Sequence, residues 1–412
     1  MKRQLVSRCM AKRIYLFLII ILLAGMCSGC WDRVEIEQLA YVTAVGIDSA
    51  DSDGVLVTFQ TVIPRMLGKS QGGGGGGGGG GVPVKPYANY SVRARNVSDA
   101  VRMFELKNPR SAMFKTTTVI IMGEDEARKS MLPSLDFFTR KPMMRRSVWV
   151  LVAKGRAEDI LLKGEPEPGS FPAQTFRSIF QRRQEVSVIL PVNFGQFLSK
   201  VERSGIDPFI TAIKLAPEVS RAADGTRVEK QTFEISSMGV LKLGRLVSFL
   251  ELSESRGVVW MEGRAAGGTV TVPANAEKPW ASLLVSSERS KITPIITENG
   301  FIFNIEIEVE GYVSSVQKGD IDLNKPDDMR LLEQEEEKAI YQEVMAAVNK
   351  SRELHSDFLG LGGKIYETNP KLWKEINQTW RDEWLPNVQT EITVSCKLTR
   401  TGLTAEPVKP IP

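Results

Sequence analysis

The 412-residue chain has a single histidine, His355, and four cysteines. One imidazole cannot assemble a histidine-rich zinc site or a pair of titrating imidazoles, and His355 falls in a polar context at a helix end. Cys9, Cys27 and Cys30 lie within the first thirty residues, so Cys396 has no partner for an internal disulfide in the rest of the chain. Cys396 sits in the alternating run Ile392-Thr393-Val394-Ser395-Cys396-Lys397-Leu398, the setting of a structural thiol rather than a reactive one. His-Glu-x-x-His is absent, which removes the commonest zinc-hydrolase motif.

Long apolar runs are also scarce. The one at the start, Ile14 to Met26, has thirteen residues, short for a membrane-spanning helix and suited to the core of a secretory signal. Five positive residues and no acid precede it: Lys2, Arg3, Arg8, Lys12 and Arg13. Ser28 and Gly29 stand directly before Cys30, where a bacterial lipoprotein has the thiol that accepts a diacylglycerol. Residues 1–29 are read as a lipoprotein signal peptide and Cys30 as the lipidated residue, placing everything after it outside the cytoplasm on a membrane surface. The position three before the acceptor, usually Leu, holds Cys27. An uncleaved membrane anchor and an ordinary secretory signal are the other readings. Removing that segment turns the net charge of +4 into 48 basic against 49 acidic residues, so charge gives no case for nucleic acid.

What remains has the make-up of a globular protein, 42% hydrophobic and 25% charged, long enough for two or three domains. Gln38 to Ile47 and Val55 to Thr61 alternate as an antiparallel hairpin around the Asp/Ser/Gly turn at 48–54. Gly72 to Gly81 is ten consecutive glycines, a flexible loop that cannot pack a core. Strands then alternate with helices. Strands are predicted from Ser91, Thr116 and Val148, and helices from Ser98, over Leu132–Arg140 and from Ala157. Phe176 to Gln184 and Phe194 to Arg203 are further helices, and Pro208 to Leu215 a strand. The charged stretch 221–230 separates an N-terminal α/β region, 30–220, from a C-terminal α+β domain, 231–405. In the second region, strands over 233–312 precede a helix from Pro326 to Lys350 with Leu332, Ile340, Val344 and Val348 as its stripe. Leu361 to Ile365 is predicted as a loop, Leu372 to Trp384 as one amphipathic helix, and Glu391 to Thr399 as the closing strand. The fold class is α+β: about three subdomains of mixed, largely antiparallel sheets with packed helices.

Candidate chemistry dissolves on inspection. Ser315-x-x-Lys318 has the spacing of acylating serine enzymes, yet it ends a strand and lacks the companion motifs. Gly68-Lys69-Ser70 mimics the end of a P-loop, but Ile63 stands where its first glycine belongs. Glu306 and Glu308 share one strand face, as glycosidase acids do and as ordinary exposed strands do more often. Glu335-Glu336-Glu337 reads as a solvated helix face. Trp380 and Trp384 frame either an apolar recognition surface or core, and core is favoured. No catalytic residue, metal ligand or cofactor site is assigned.

Several stretches carry a resemblance. They are Gly29-Cys30-Trp31-Asp32-Arg33-Val34-Glu35-Ile36-Glu37 with Ala44-Val45-Gly46-Ile47-Asp48, then Arg140-Lys141-Pro142, Arg145-Arg146-Ser147-Val148 and Ala153-Lys154-Gly155. Arg256-Gly257-Val258-Val259-Trp260, Asp357-Phe358-Leu359-Gly360-Leu361-Gly362, Trp380 and Thr399-Arg400-Thr401-Gly402 complete the set. With these the chain resembles the C subunits of bacterial spore germinant receptors, the Ger(x)C lipoprotein family. Cys27 and the ten-glycine run depart from the family pattern. The resemblance implies three α+β subdomains and a non-enzymatic, lipid-anchored subunit of a nutrient receptor required for germination. It also implies integral-membrane A and B subunits as partners, the spore inner membrane as location, and no cofactor. Of functional residues only the lipidated cysteine transfers, onto Cys30. An extracytoplasmic solute-binding lipoprotein of a transporter is the alternative, although such proteins usually have two similar lobes and the two halves here differ in pattern. An anchored hydrolase acting through Ser315 is a third reading.

Overall fold

The computed structural model describes residues 15–17, 19, 35–51, 54–63, 85–166, 170–181, 189–221, 225–274, 280–298, 300–317 and 321–400. Cys30 and the glycine run lie outside them. The hairpin at the start is as alternation predicts: β1 (Leu39–Ser49) pairs antiparallel with β2 (Val55–Val62). β3 (Tyr87–Ala94) adds to β2 and leads into α1 (Val97–Lys107). Asn96 rather than Ser98 caps this helix, its Oδ1 accepting the Asp99 N–H at 2.9 Å. The strand expected from Thr116 is interrupted. β4 (Ser111–Met113) and β5 (Val119–Met122) flank a turn at Phe114–Thr116, where the Thr116 and Thr117 hydroxyls both donate to Val42 O. There follow α2 (Glu124–Lys129), α3 (Leu132–Arg140), β6 (Trp149–Ala153), α4 (Ala157–Lys163), α5 (Pro172–Gln181) and α6 (Phe194–Glu202).

β7 (Phe209–Arg221), β8 (Arg227–Lys242) and β9 (Arg245–Phe249) complete a nine-stranded mixed sheet. Its order is β3-β2-β1-β5-β6-β7-β8-β9, with β4 beside β1. β1, β5, β6 and β7 run parallel, and the antiparallel pairs lie on either side. The central strands are buried on both faces, as parallel strands covered by helices must be. Alternate residues feed two cores: Val45, Ile120, Met122, Val150 and Val152 enter one, and Ala44, Val119, Ile121, Leu151 and Ala153 the other. α4 and α5 close the second core with Ile160, Leu161, Phe176 and Phe180. Arg221 and residues 227–230 of the charged stretch lie at the far end of the β7–β8 pair, and the large sheet continues beyond them to Phe249.

The remaining chain builds a smaller layer. α7 (Leu252–Met261) precedes β10 (Thr269–Pro273), β11 (Trp280–Thr297) and β12 (Gly300–Gln317). α8 (Pro326–Leu354), α9 (Leu361–Thr368) and α10 (Pro370–Ile376) come before β13 (Gln389–Arg400), which pairs parallel with β12. The four strands stand in the order β10-β11-β12-β13. Phe301, Phe303, Ile305, Ile307 and Val309 alternate into the core, and the α8 stripe Leu332, Ile340, Val344 and Val348 is buried as predicted. Two expectations fail here. Leu361 to Ile365 is helical, because Gly362 and Gly363 permit an approach that side chains would block. The helix expected over Leu372–Trp384 stops at Ile376 and resumes as a π-turn, Trp380–Trp384.

Candidate functional site

The two layers meet where the loop before β7 touches the loop after α8. Asp207 and Asp357 are both buried there. The Asp207 N–H donates to Asp357 O and the Asp357 N–H donates to Asp207 Oδ2, each at 2.9 Å. Arg381, on the π-turn, donates to both Asp207 oxygens at 2.8 and 3.0 Å, the forked geometry that suits a guanidinium. The Asp357 carboxylate accepts the N–H groups of Leu361 and Gly362 at the start of α9 and the Trp380 indole N–H at 2.8 Å. Burial raises its pKa to about 6 against those three donors, with the Asp207 charge adding to the rise. Gly362 is fixed by space: a Cβ there would lie 2.6 Å from Trp373 and 2.7 Å from Trp380 Nε1. Trp373 in turn donates to Ser204 Oγ at 2.6 Å. The Asp-Phe-Leu-Gly-Leu-Gly motif is thus the latch between the layers.

Arg-Gly-x-x-Trp is a second latch. Arg256 and Trp260 are four apart on α7 and so share a face. Both grip Glu343 of α8, Arg256 through Nε at 3.0 Å and Trp260 through Nε1 at 2.7 Å. Gly257 lies between them, and a Cβ there would stand 2.1 Å from the Glu343 carbonyl oxygen. Burial pushes the Glu343 carboxyl upward and Arg256 opposes the shift. The Ile47-Asp48 end of β1 forms a third latch. Asp48 is buried and accepts the N–H groups of Ala157 and Glu158 at 2.7 and 2.8 Å, anchoring the first turn of α4.

A groove of about 780 Å³ opens beside the first latch, between α6, the end of α7, β11 and α9. Lys200, Arg203, Arg264, Lys291 and Lys364 line it against Glu262 and Glu367. Lys200 bonds Glu262 at 2.5 Å across the layers, and Arg203 pairs with Glu367. Burial lowers the Lys200 pKa, with Glu262 opposing, and its ammonium sits 4.0 Å over the Phe209 ring.

The residues singled out in the sequence fall as follows. Cys30, Lys318 and Ser70 lie outside the described residues. His355 ends α8 in the left-handed conformation, 3.4 Å from Asp382. Glu306 and Glu308 face Lys291 and Arg289 across the β11–β12 ladder at 3.5 and 3.6 Å. Trp380 is fully buried and Trp384 partly, so both belong to the core. Cys396 is buried, and its thiol is pushed above the ordinary range by burial and then by Glu336.

Glu336 corrects the reading of 335–337 as solvated. It is fully buried, no nitrogen or oxygen donor among the described residues reaches its carboxylate, and the weakly donating Cys396 thiol faces it. Its pKa rises to about 7 by burial, with Glu333 and Glu337 adding to the rise. Glu333 and Glu337 accept the Leu398 and Cys396 N–H groups at 2.8 and 3.0 Å, so α8 carboxylates satisfy the outer edge of β13. Glu343, Asp207 and Arg381 went unseen in the sequence. Only the turn composition Ser204-Gly205-Ile206-Asp207-Pro208 hinted at the second.

The chain matches the family described as Spore germination protein N-terminal domain over residues 32–215, and Spore germination B3/GerAC like, C-terminal, over 236–402. It belongs to the Ger(x)C family. The two Ger(x)C matches end and begin on either side of the β7–β8 hairpin tip. Two curated relatives from Bacillus subtilis (strain 168) match nearly end to end. Spore germination protein KC is 25% identical over 98% of each chain, and spore germination protein B3 is 24% identical over 92% of this chain and 96% of its own. The solved structure titled Crystal Structure of the GerBC protein superposes with a TM-score of 0.54 at 20% identity. That match covers 89% of this chain and all of GerBC, so the fold is the Ger(x)C fold.

Proposed function

We propose that this chain is a non-enzymatic, lipid-anchored subunit of a nutrient germinant receptor required for spore germination. It is tethered through Cys30 to the outer face of the spore inner membrane and assembles there with integral-membrane A and B subunits. One observation carries the non-enzymatic part. The motif residues that mark the family resemblance, Asp48, Arg256, Gly257, Trp260, Asp357, Gly362 and Trp380, are committed to holding strands and helices together. The three fixed donors on the Asp357 carboxylate support a packing role for it. The anchored part is supported by the Ser28-Gly29-Cys30 junction. No helix among the described residues is long and apolar enough to cross a membrane. A transporter's binding protein is less well supported, since a nine-stranded and a four-stranded sheet are not two similar lobes.

Deleting the gene tests the proposal. Spores lacking it should fail to respond to at least one nutrient, and the lipidated protein should co-purify from spore membranes with two integral-membrane partners. An unchanged response to every nutrient tried overturns it.

A further inference from the structure

β1, β4, β5 and β6 run parallel, so the connections leading into them gather at one end of the large sheet. Three of those connections are unusual. Residue 36, entering β1, is an isoleucine 68% exposed; Leu106, at the end of α1 before β4, is 76% exposed; Met143, in the loop before β6, is 63% exposed. Basic side chains surround them: Lys107 and Arg110 before β4, and Lys141, Arg145 and Arg146 before β6, all exposed. None of these five has an acidic partner among the described residues. Arg140 beside them is paired with Asp136 at 2.7 Å, and the Lys141 ammonium lies 5.1 Å over the Phe137 ring. The backbone around the arginines is fixed, since Arg146 O accepts the Gly195 N–H at 2.9 Å and Arg145 O accepts the Val148 N–H. Glu35 and Glu37 beside Ile36 and Glu105 beside Leu106 are the acids here, and against the five basic residues they leave the end net positive.

We infer that this end of the sheet is a membrane-docking face that takes an anionic phospholipid bilayer surface, with Ile36, Leu106 and Met143 entering the headgroup region and the five basic residues meeting lipid phosphates. The inference rests on the lipid-anchored reading, because Glu35, at this same end, follows Cys30 by five residues in the sequence. Charge complementarity selects the occupant. Isolated exposed apolar side chains ringed by cations without acidic partners suit an anionic interface, whereas a protein partner of comparable stability needs a broader apolar core. It also gives a use to Arg140-Lys141-Pro142 and Arg145-Arg146, two motif stretches that no latch employs.

The test uses the unlipidated chain Trp31–Pro412, which contains every element of the fold, in co-sedimentation with vesicles. The chain should bind phosphatidylcholine vesicles containing about a third phosphatidylglycerol, weaken with added salt, and bind pure phosphatidylcholine poorly. Changing Lys107, Arg110, Lys141, Arg145 and Arg146 together to Gln should reduce binding roughly tenfold or more at an unchanged melting temperature. Leu106→Glu with Met143→Glu should weaken it as well. Equal binding to both vesicle types, or a five-fold Gln variant that binds like the parent, overturns the inference. So does a variant that binds vesicles normally yet no longer co-purifies with membrane partners, which would make the face a protein interface. The assay contains no acylated cysteine, so its failure leaves the Cys30 reading standing, and absence of acylation at Cys30 leaves the vesicle result standing.

Discussion

The indole N–H of Trp260 donates to Glu343 Oε2 at 2.7 Å, and Arg256, one helical turn away, holds the same carboxylate. Two helices are thereby clasped through one acid, and Gly257 between the two donors lets their backbones come close. Gly257→Ala should force α7 off α8, because the new Cβ meets the Glu343 carbonyl oxygen at 2.1 Å. The expected loss is about 2–3 kcal/mol in urea unfolding. A loss below about 0.5 kcal/mol would mean the helices have room to separate.

At the layer seam, Asp207→Ala removes the partner of a half-buried guanidinium and the acceptor of the Asp357 N–H. Destabilisation of about 3 kcal/mol is expected, with proteolysis appearing first in the loops at 203–208 and 355–360. A variant as stable and protease-resistant as the parent contradicts the latch.

Glu336 sets a pH dependence of defined sign. Its folded pKa, about 7, exceeds its ordinary 4.5. The native state therefore holds the proton more tightly, and the group's contribution is full below about pH 4.5 and lost as pH rises to about 7. Glu336→Gln should match the parent near pH 5 and exceed it at pH 8 by on the order of 2–3 kcal/mol. Thermal unfolding across that range checks it, and parallel curves for the two proteins would contradict the buried ionisation. Glu288, raised by burial to about 7, and Asp357, raised to about 6, slope the parent's curve in the same direction.

Removing Glu333 and Glu337 together by Ala substitution frees the Leu398 and Cys396 N–H groups on the outer edge of β13. An uncovered strand edge recruits other strands. Concentration-dependent oligomers should appear in gel filtration, and a strictly monomeric double variant would contradict the role given to these carboxylates.

Much of the fold was legible because its signals are local. The β1–β2 hairpin and the α8 stripe follow from alternation, turn composition and helical period. What failed depended on partners distant in sequence. The glycines of 360–363 predict a loop until Gly205, Trp373 and Trp380 are packed against them, when they become the reason a helix fits. Glu336 looks solvated beside Glu335 and Glu337 because only the fold brings β13 over it. Of the candidate site, the sequence marked Arg256, Trp260, Asp357 and Trp380 as motif members. Their partners Glu343 and Asp207 lie between 83 and 150 residues away in the chain, Arg381 lies 174 residues from Asp207, and none of the three carries a local signature.

The central claim is that lipid attachment at Cys30 places a folded, non-catalytic subunit against the membrane where its partners reach it. Nutrient-triggered germination of spores carrying Cys30→Ala, with protein level checked by immunoblot, tests it most directly. The account predicts normal accumulation of the folded protein and impaired germination. A fully active variant that takes up no lipid label would contradict it.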